Sequence, residues 1–204
     1  MAFTFFFRDM SILDLIGQHV VPAVSGFTRV RVWDAGCAMG PEPYSLAIVI
    51  AERMGHFMFR NVRIDATDID EQDQFGKIII AGIYPEEPLK RIPQDLFARY
   101  FEPADEPGQY RVVQMVRDRI HFQKHDLLSM TPIGASYHLI MCKNVLLHFQ
   151  QQERAAVIRM FHAALAPGGF FATEQTQKLP DEVAGMFEQV SPEGQLFRKL
   201  ERAP

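Results

Sequence analysis

Hydrophobic positions along this chain recur at two different spacings, and the two spacings take turns. Val30-Arg31-Val32-Trp33-Asp34 alternates at period two and runs into the glycine-bounded turn Ala35-Gly36-Cys37-Ala38-Met39-Gly40, which predicts a strand and its loop. Tyr44 to Met54 carries apolar residues at helical spacing, with Pro41 and Pro43 in the opening turn and Gly55 just beyond the end. Proline suits that opening turn because the first N–H groups of a helix have no partner within it. Val62-Arg63-Ile64-Asp65-Ala66-Thr67-Asp68 predicts a second strand, and Asp70 is placed to cap a helix from about Glu71 to Ala81, ended by Gly82.

Pro85, Pro88 and Pro93 then interrupt the pattern, leaving a short helix over Gln94 to Tyr100. Tyr110 to Val116 and Arg119 to Phe122 alternate on either side of Arg117-Asp118, which predicts a small antiparallel hairpin, an inserted β-subdomain at about 103–122. Tyr137 to Cys142 reads as a central strand, Gln151 to Ala166 as a helix stopped by Pro167-Gly168-Gly169, and Phe170-Phe171-Ala172 as another strand. Phe187 to Val190 and Gln195 to Leu200 flank Pro192-Glu193-Gly194, a hairpin closing the sheet edge. Strands and helices in alternation predict an α/β fold: a mainly parallel sheet with helices on both faces, one antiparallel edge strand and the small insertion. With no repeat or linker, the 204 residues predict a single domain, 1–204.

Composition narrows the classes further. Hydrophobic residues make up 48% of the chain, charged residues 23%, and the mean hydropathy is −0.07, as in globular proteins. A net charge of −4, a pI near 6.0 and no run of Lys or Arg argue against nucleic acid as a partner. The apolar opening Met1 to Phe7 is cut by Arg8-Asp9, so no signal peptide is read, and the apolar run Leu46 to Ala51 is far below the ~20 residues of a membrane span. A cytoplasmic protein without membrane insertion is expected. Cys37 and Cys142 read as buried inert thiols, and the seven histidines have no ligand spacing, so no metal site is expected.

The loop after the first strand carries the chemistry. Gly36 and Gly40 let the backbone approach a ligand at the carboxyl edge of the sheet. A dinucleotide loop would need G-x-G-x-x-G, and Ala38 and Pro41 break that spacing. Glu42, in the first helical turn, would repel a pyrophosphate and attract a cation. Asp68, at the tip of the second strand, suits both hydroxyls of a ribose. Asp126 suits an adenine amino group, with Leu127 over the ring. An adenosine with a cationic, phosphate-free tail fits this set, which describes S-adenosylmethionine.

Four blocks in order then become specific: Thr4-Phe5-Phe6-Phe7-Arg8-Asp9; Trp33 to Ser45; Ala66 to Asp70 with Gly82-Ile83-Tyr84; and Cys142 to Phe149. Together they resemble the chemotaxis receptor methyltransferase (CheR) family, bacterial protein-glutamate O-methyltransferases that use S-adenosylmethionine and have a class I, Rossmann-like methyltransferase fold. The resemblance implies that Thr4, Arg8, Gly36, Glu42, Asp68, Asp126, Leu127, Cys142 and Lys143 line the cofactor pocket. It implies that Arg8 lies near the acceptor carboxylate, and that His148, standing where the family has a Tyr, faces the acceptor; these two are the catalytic candidates. It also equates the predicted hairpin with the family's β-subdomain, which in some members docks a receptor tail. The sequence begins at the first block, without the family's N-terminal helical domain. It has Ala2 for an Asn, Lys143 for an Arg, and Ala172 to Thr176 for Gly-His-Ser-Glu.

Glutamate is ionised near neutral pH, with a reference pKa of about 4.3, so its methylation needs alignment and no general base. No Asn/Asp-Pro-Pro-aromatic turn follows the fourth strand, which argues against amide or base N-methylation. The expectation is a monomeric methyltransferase acting on a protein, most simply a chemoreceptor cytoplasmic helix or tail. The alternatives are a cofactor-binding signalling module without catalysis and a methyltransferase with another acceptor.

Overall fold

The structure, a computed structural model, describes residues 4–176 and 178–201. Ala2, where a cofactor contact is in question, lies outside the described residues. The strands, in chain order, are β1 Val30–Ala35, β2 Val62–Asp68, β3 Ile83–Pro85, β4 Phe101–Pro103, β5 Gln109–Val112, β6 Ile120–Lys124, β7 Tyr137–Met141, β8 Leu165–Ala172, β9 Phe187–Gln189 and β10 Leu196–Lys199. Seven of them form one sheet in the order β6-β2-β1-β7-β8-β10-β9. From β6 to β8 all neighbours pair in parallel.

Such a sheet must be covered on both sides. Val30, Val32, Leu139 and Met141 pack on one face with Ala47, Ile48 and Ala51 of helix Pro41–Met54. Trp33, Ile140 and Phe171 pack on the other with Val157, Ile158 and Phe161 of helix Gln151–Ala164. Trp33 meets Phe161 edge-to-face at 5.2 Å, and its indole N–H donates to Thr67 Oγ1 at 2.9 Å, so the one polar atom of that side chain is satisfied inside the core.

Four elements differ from the sequence-based expectation. First, Ile120–Lys124 does not form a hairpin with residues 110–116; it is the parallel edge strand beside β2, while β5 pairs antiparallel with β3 and β4 in a separate three-stranded sheet. Period-two alternation reports a half-buried strand without naming its partner, and Ile120 and Phe122 find their apolar cover on Ala66 and Ile79. Residues Gln114–Arg117 make a helical turn between the two sheets.

Second, the antiparallel strand of the main sheet is β10, one in from the edge. Buried Leu196 and Phe197 reward the inner place, whereas β9 has only Phe187 to bury and exposes Glu188 and Gln189, which suits an edge. Third, β8 begins at Leu165 and passes through Pro167-Gly168-Gly169 with a register shift against β7, because Gly168 takes φ +66° and the strand bulges there. Fourth, residues 10–24, unassigned from sequence, are helical: Met10–Leu15 and Val21–Val24 flank a π-helical turn, Ile16–Val20. Pro22 hides this pattern, and the wide turn before it absorbs the lost hydrogen bond.

Parallel strands all start at one edge, so residues preceding them meet there. Arg29, Arg31, Arg60, Arg63 and Arg119, scattered in sequence, line one 680 Å³ cavity at that edge. Arg31 and Arg63 are register partners on β1 and β2 and share the Asp65 carboxylate, at 3.3 Å and 2.7 Å, to which Tyr137 also donates at 2.9 Å. Among the described residues no helix is long and apolar enough to cross a membrane.

Asp70 caps the helix after β2, which begins at Phe75 rather than Glu71. Its carboxylate accepts from the N–H groups of Gln74, Phe75 and Gly76 at 2.9, 3.0 and 3.1 Å. Burial opposes the charge and the three N–H groups outweigh it, so the carboxyl lies below its ordinary range. Asp70→Ala is expected to cost about 1–2 kcal/mol in urea unfolding near neutral pH. Because the folded carboxyl titrates below the unfolded value of about 3.9, this contribution is complete above that value and is lost as pH falls through the folded one. The gap between wild type and variant therefore closes in acid.

Candidate cofactor and acceptor site

The carboxyl ends of β1, β2, β6, β7 and β8 open onto one edge of the sheet, and the loops that leave them form the site. After β1 the chain turns at Gly36, with φ +95°; a Cβ there would sit 2.2 Å from Val145 Cγ2 in the loop after β7. Only glycine permits that crossing. Asp68, ending β2, holds the same loop: its Oδ2 accepts the Ala38 N–H at 2.9 Å and its Oδ1 the Asp70 N–H at 3.3 Å.

Two cavities adjoin here, both lined by Gly36, Asp68 and Val145. The larger, 550 Å³, also takes in Thr4, Arg8, Glu42, Lys143 and His148. The smaller, 170 Å³, is walled by Ile69, Asp126, Leu127, Leu128 and Phe149. A flat apolar slot thus meets a polar, charged chamber at the Asp68 carboxylate. Asp126 Oδ1 accepts the Leu128 N–H at 2.8 Å, which fixes the turn that lays Leu127 and Leu128 against the slot.

The first block is tied to this edge. The Phe7 N–H donates to Ser45 Oγ at 2.8 Å, Phe6 packs edge-on to Tyr84 at 5.0 Å and Phe101 at 5.3 Å, and the Tyr84 hydroxyl donates to the Met39 carbonyl at 2.8 Å. The small sheet, through β3 and β4, therefore braces both the cofactor loop and the segment bearing Thr4 and Arg8. Arg8 Nε lies 3.8 Å from Asp9.

Lys143 is the buried cation of the site. Its ammonium meets Glu42 Oε2 at 3.1 Å, Asp9 Oδ2 at 3.5 Å and the Arg8 carbonyl at 3.2 Å. Next to Glu42, Asp34 is wholly buried, and burial followed by the Glu42 charge pushes its carboxyl well above the usual carboxylate range; Lys143 offsets this only in part. Neither Asp34 oxygen nor Glu42 Oε1 has a hydrogen-bond donor. Glu174, at the end of β8, accepts the Asn144 N–H at 2.9 Å and the Thr173 hydroxyl at 2.8 Å, holding the loop that carries Lys143.

Of the residues marked from sequence, Thr4, Arg8, Gly36, Glu42, Asp68, Lys143 and His148 line the larger cavity, and Asp126 and Leu127 line the smaller. Cys142 is buried among Trp33, Ala35 and Leu146 and supports the floor; burial pushes its thiol, like that of Cys37, well up. Asp34, Asn144, Val145 and Glu174 were not marked. Asp34 had a legible signal, an acid next to last in a strand otherwise polar only at Arg31, but its depth follows only from the packing of the helix Pro41–Met54 above it.

These residues fit S-adenosylmethionine on their own chemistry: a close-approach glycine, an apolar slot beside a strand-end carboxylate, and buried acceptors suited to a cationic donor. Fold and site together define a class I methyltransferase that uses S-adenosylmethionine. The chain matches the family described as CheR methyltransferase, SAM binding domain, over residues 2–195, and it belongs to that family.

Among curated relatives, Chemotaxis protein methyltransferase 1 of Pseudomonas aeruginosa is 31% identical over 192 residues, covering 87% of this chain and 68% of its own length. Chemotaxis protein methyltransferase 2 of the same organism is 32% identical over 173 residues, covering 82% of this chain and 60% of its own. The chain thus spans roughly two-thirds of the relatives it matches. The solved structure of PKMT2 from Rickettsia typhi in complex with AdoHcy covers 86% of this chain and 27% of its own, with a TM-score of 0.50 and 12% identity, a likeness of fold alone.

The Gly36–Val145 crossing yields a test. Gly36→Ala is expected to weaken S-adenosylhomocysteine binding at least about tenfold by calorimetry, since both the steric overlap and the positive φ disfavour any side chain. Gly36→Ala/Val145→Ala should recover part of that loss, because it removes the overlap and leaves the backbone strain.

Proposed function

We propose that the protein moves a methyl group from S-adenosylmethionine to the side-chain carboxylate of a protein glutamate, with a cytoplasmic segment of a chemoreceptor as the acceptor. The observation that carries this reading is the 31% identity with a chemotaxis protein methyltransferase over 87% of the chain. In this reading Asp68 holds the ribose hydroxyls, Asp126 and Leu127 the adenine, Glu42 the ammonium and Lys143 the carboxylate of the methionine portion. Thr4 and Gly36 complete the wall, and Cys142 backs it. A monomer acting in the cytoplasm is part of the same proposal.

Bound cofactor supplies an electrophilic methyl group on a sulfonium. The protein's part is alignment. An acceptor carboxylate, ionised near neutral pH, forms the new O–C bond as the C–S bond breaks and its electron pair returns to sulfur, so no proton is moved. Arg8, at the mouth of the larger cavity, holds the second carboxylate oxygen, and exposed His148 and Leu147 meet the acceptor backbone. Orientation of this kind supplies roughly 7–11 kcal/mol, enough for catalysis without a base.

Incubation with methyl-labelled S-adenosylmethionine and a purified receptor cytoplasmic fragment is expected to give label on the fragment that alkali releases as methanol, the signature of a carboxyl ester. Alkali-stable label would move the acceptor to nitrogen, and absence of any transfer would remove the receptor assignment. Asp68→Ala should lower kcat/KM for the cofactor by about 10²-fold or more. His148→Phe should raise KM for the fragment and leave the cofactor KM unchanged.

A further inference from the structure

Beneath the chamber, the wholly buried Asp34 neighbours Glu42, whose Oε2 lies 3.1 Å from the Lys143 ammonium and whose Oε1 is buried. Ionised carboxylates only accept. Both Asp34 oxygens and Glu42 Oε1 are buried without a donor, so two acceptor-only groups face each other in the interior. Such a contact is stable only with a proton between the oxygens or with a donor brought from outside.

The charged and titratable neighbours do not supply that donor. Lys143 spends its ammonium on Glu42 Oε2, Asp9 and the Arg8 carbonyl. Asp68 lies across the loop and adds negative charge, and the Cys37 and Cys142 thiols are buried and pushed up by burial. Arg8 stands against Asp9, His148 lines the chamber mouth, and Glu174 is engaged by Asn144 and Thr173. The chamber therefore has a place for one cationic N–H donor.

Resting on the S-adenosylmethionine reading, we propose that the Asp34–Glu42 pair is a proton-exchanging cation seat, in which Asp34 positions Glu42 and the ligand's α-ammonium replaces the proton the two carboxyls share. No covalent bond changes: the ammonium N–H groups donate to the freed oxygens, and the displaced proton leaves to solvent. The pair goes from one negative charge to two as one positive charge arrives, so net charge at the seat is conserved. Cofactor uptake is thus linked to proton release, and affinity rises with pH, by up to about tenfold per unit while the pair still holds its proton.

The test is calorimetric titration of the whole chain with S-adenosylhomocysteine in two buffers of different ionisation heat, from about pH 5.5 to about pH 8. 5′-Methylthioadenosine, which keeps the nucleoside and lacks the ammonium, is the control. The expected result is release of up to about one proton per S-adenosylhomocysteine bound, and none with 5′-methylthioadenosine. Asp34→Asn, which offers an amide donor to Glu42 and carries no titrating proton, should still bind S-adenosylhomocysteine but without proton release, and with a Kd that no longer falls as pH rises.

If Asp34→Asn does not fold by circular dichroism, Glu42→Gln serves instead, weakened in binding but with the same loss of proton release. Tight binding by wild type with no proton release, or equal release with both ligands, overturns the seat while leaving the cofactor reading standing. Absence of S-adenosylhomocysteine binding overturns the cofactor reading and the seat with it.

Discussion

The near-contact between the Gly36 and Val145 loops is the constraint on which the site depends. β1 and β7 are adjacent parallel strands, so the chain leaves both at the same edge and within one strand spacing. Two loops with side chains would collide there. A glycine with positive φ lets one pass over the other, and their crossing divides the space into an apolar slot and a charged chamber. Gly40 has the same task one turn later, where a Cβ would come 2.5 Å from the Tyr84 hydroxyl. The small sheet and the cofactor loop are thereby fitted to each other, with Phe6 wedged between Tyr84 and Phe101.

A second constraint is polar. The site gathers Asp34, Glu42, Asp68 and Glu174 near a single buried ammonium, an excess of acceptors that an isolated protein interior does not favour. Asp68, through both oxygens, and Glu174, through Oε2, accept backbone N–H groups, which makes them struts as well as binding groups. Asp34 accepts through neither oxygen and Glu42 meets Lys143 through Oε2 alone, so neither of these two carboxylates holds a loop.

Much of this was legible in the sequence because the two periods are unmixed in the central strands. β2 has the limits its alternation predicts, and the helix after β1 begins at the prolines that mark it. The strand Ile120–Lys124 was legible as a strand but not as a neighbour of β2, since alternation reports one buried face and cannot say what covers it. The helical stretch over residues 10–24 was obscured by Pro22. Among the site residues, those at element ends with distinctive neighbours, such as Glu42 between the two helix-opening prolines and Asp68 at the tip of β2, could be marked. Asp34 could not, because its importance is its depth, and depth is a property of the packing above a strand end. Val145 was invisible for a related reason: it is an ordinary valine except for the glycine it touches.

The basic edge described above acquires meaning when set against this acidic one. Five arginines, with Asp65 and Asp118 among them, gather where the parallel strands begin, while Asp34, Glu42, Asp68 and Asp126, with Arg8 and Lys143 among them, gather where the strands end. The separation polarises the molecule along its strand direction despite a net charge of only −4. A small cation diffusing nearby is drawn toward the mouth of the chamber before any contact forms, and dissolved salt weakens that pull over a Debye length of about 8 Å at physiological ionic strength. The strand direction of the sheet thus acts as an antenna, turning a topological necessity into a preferred angle of approach.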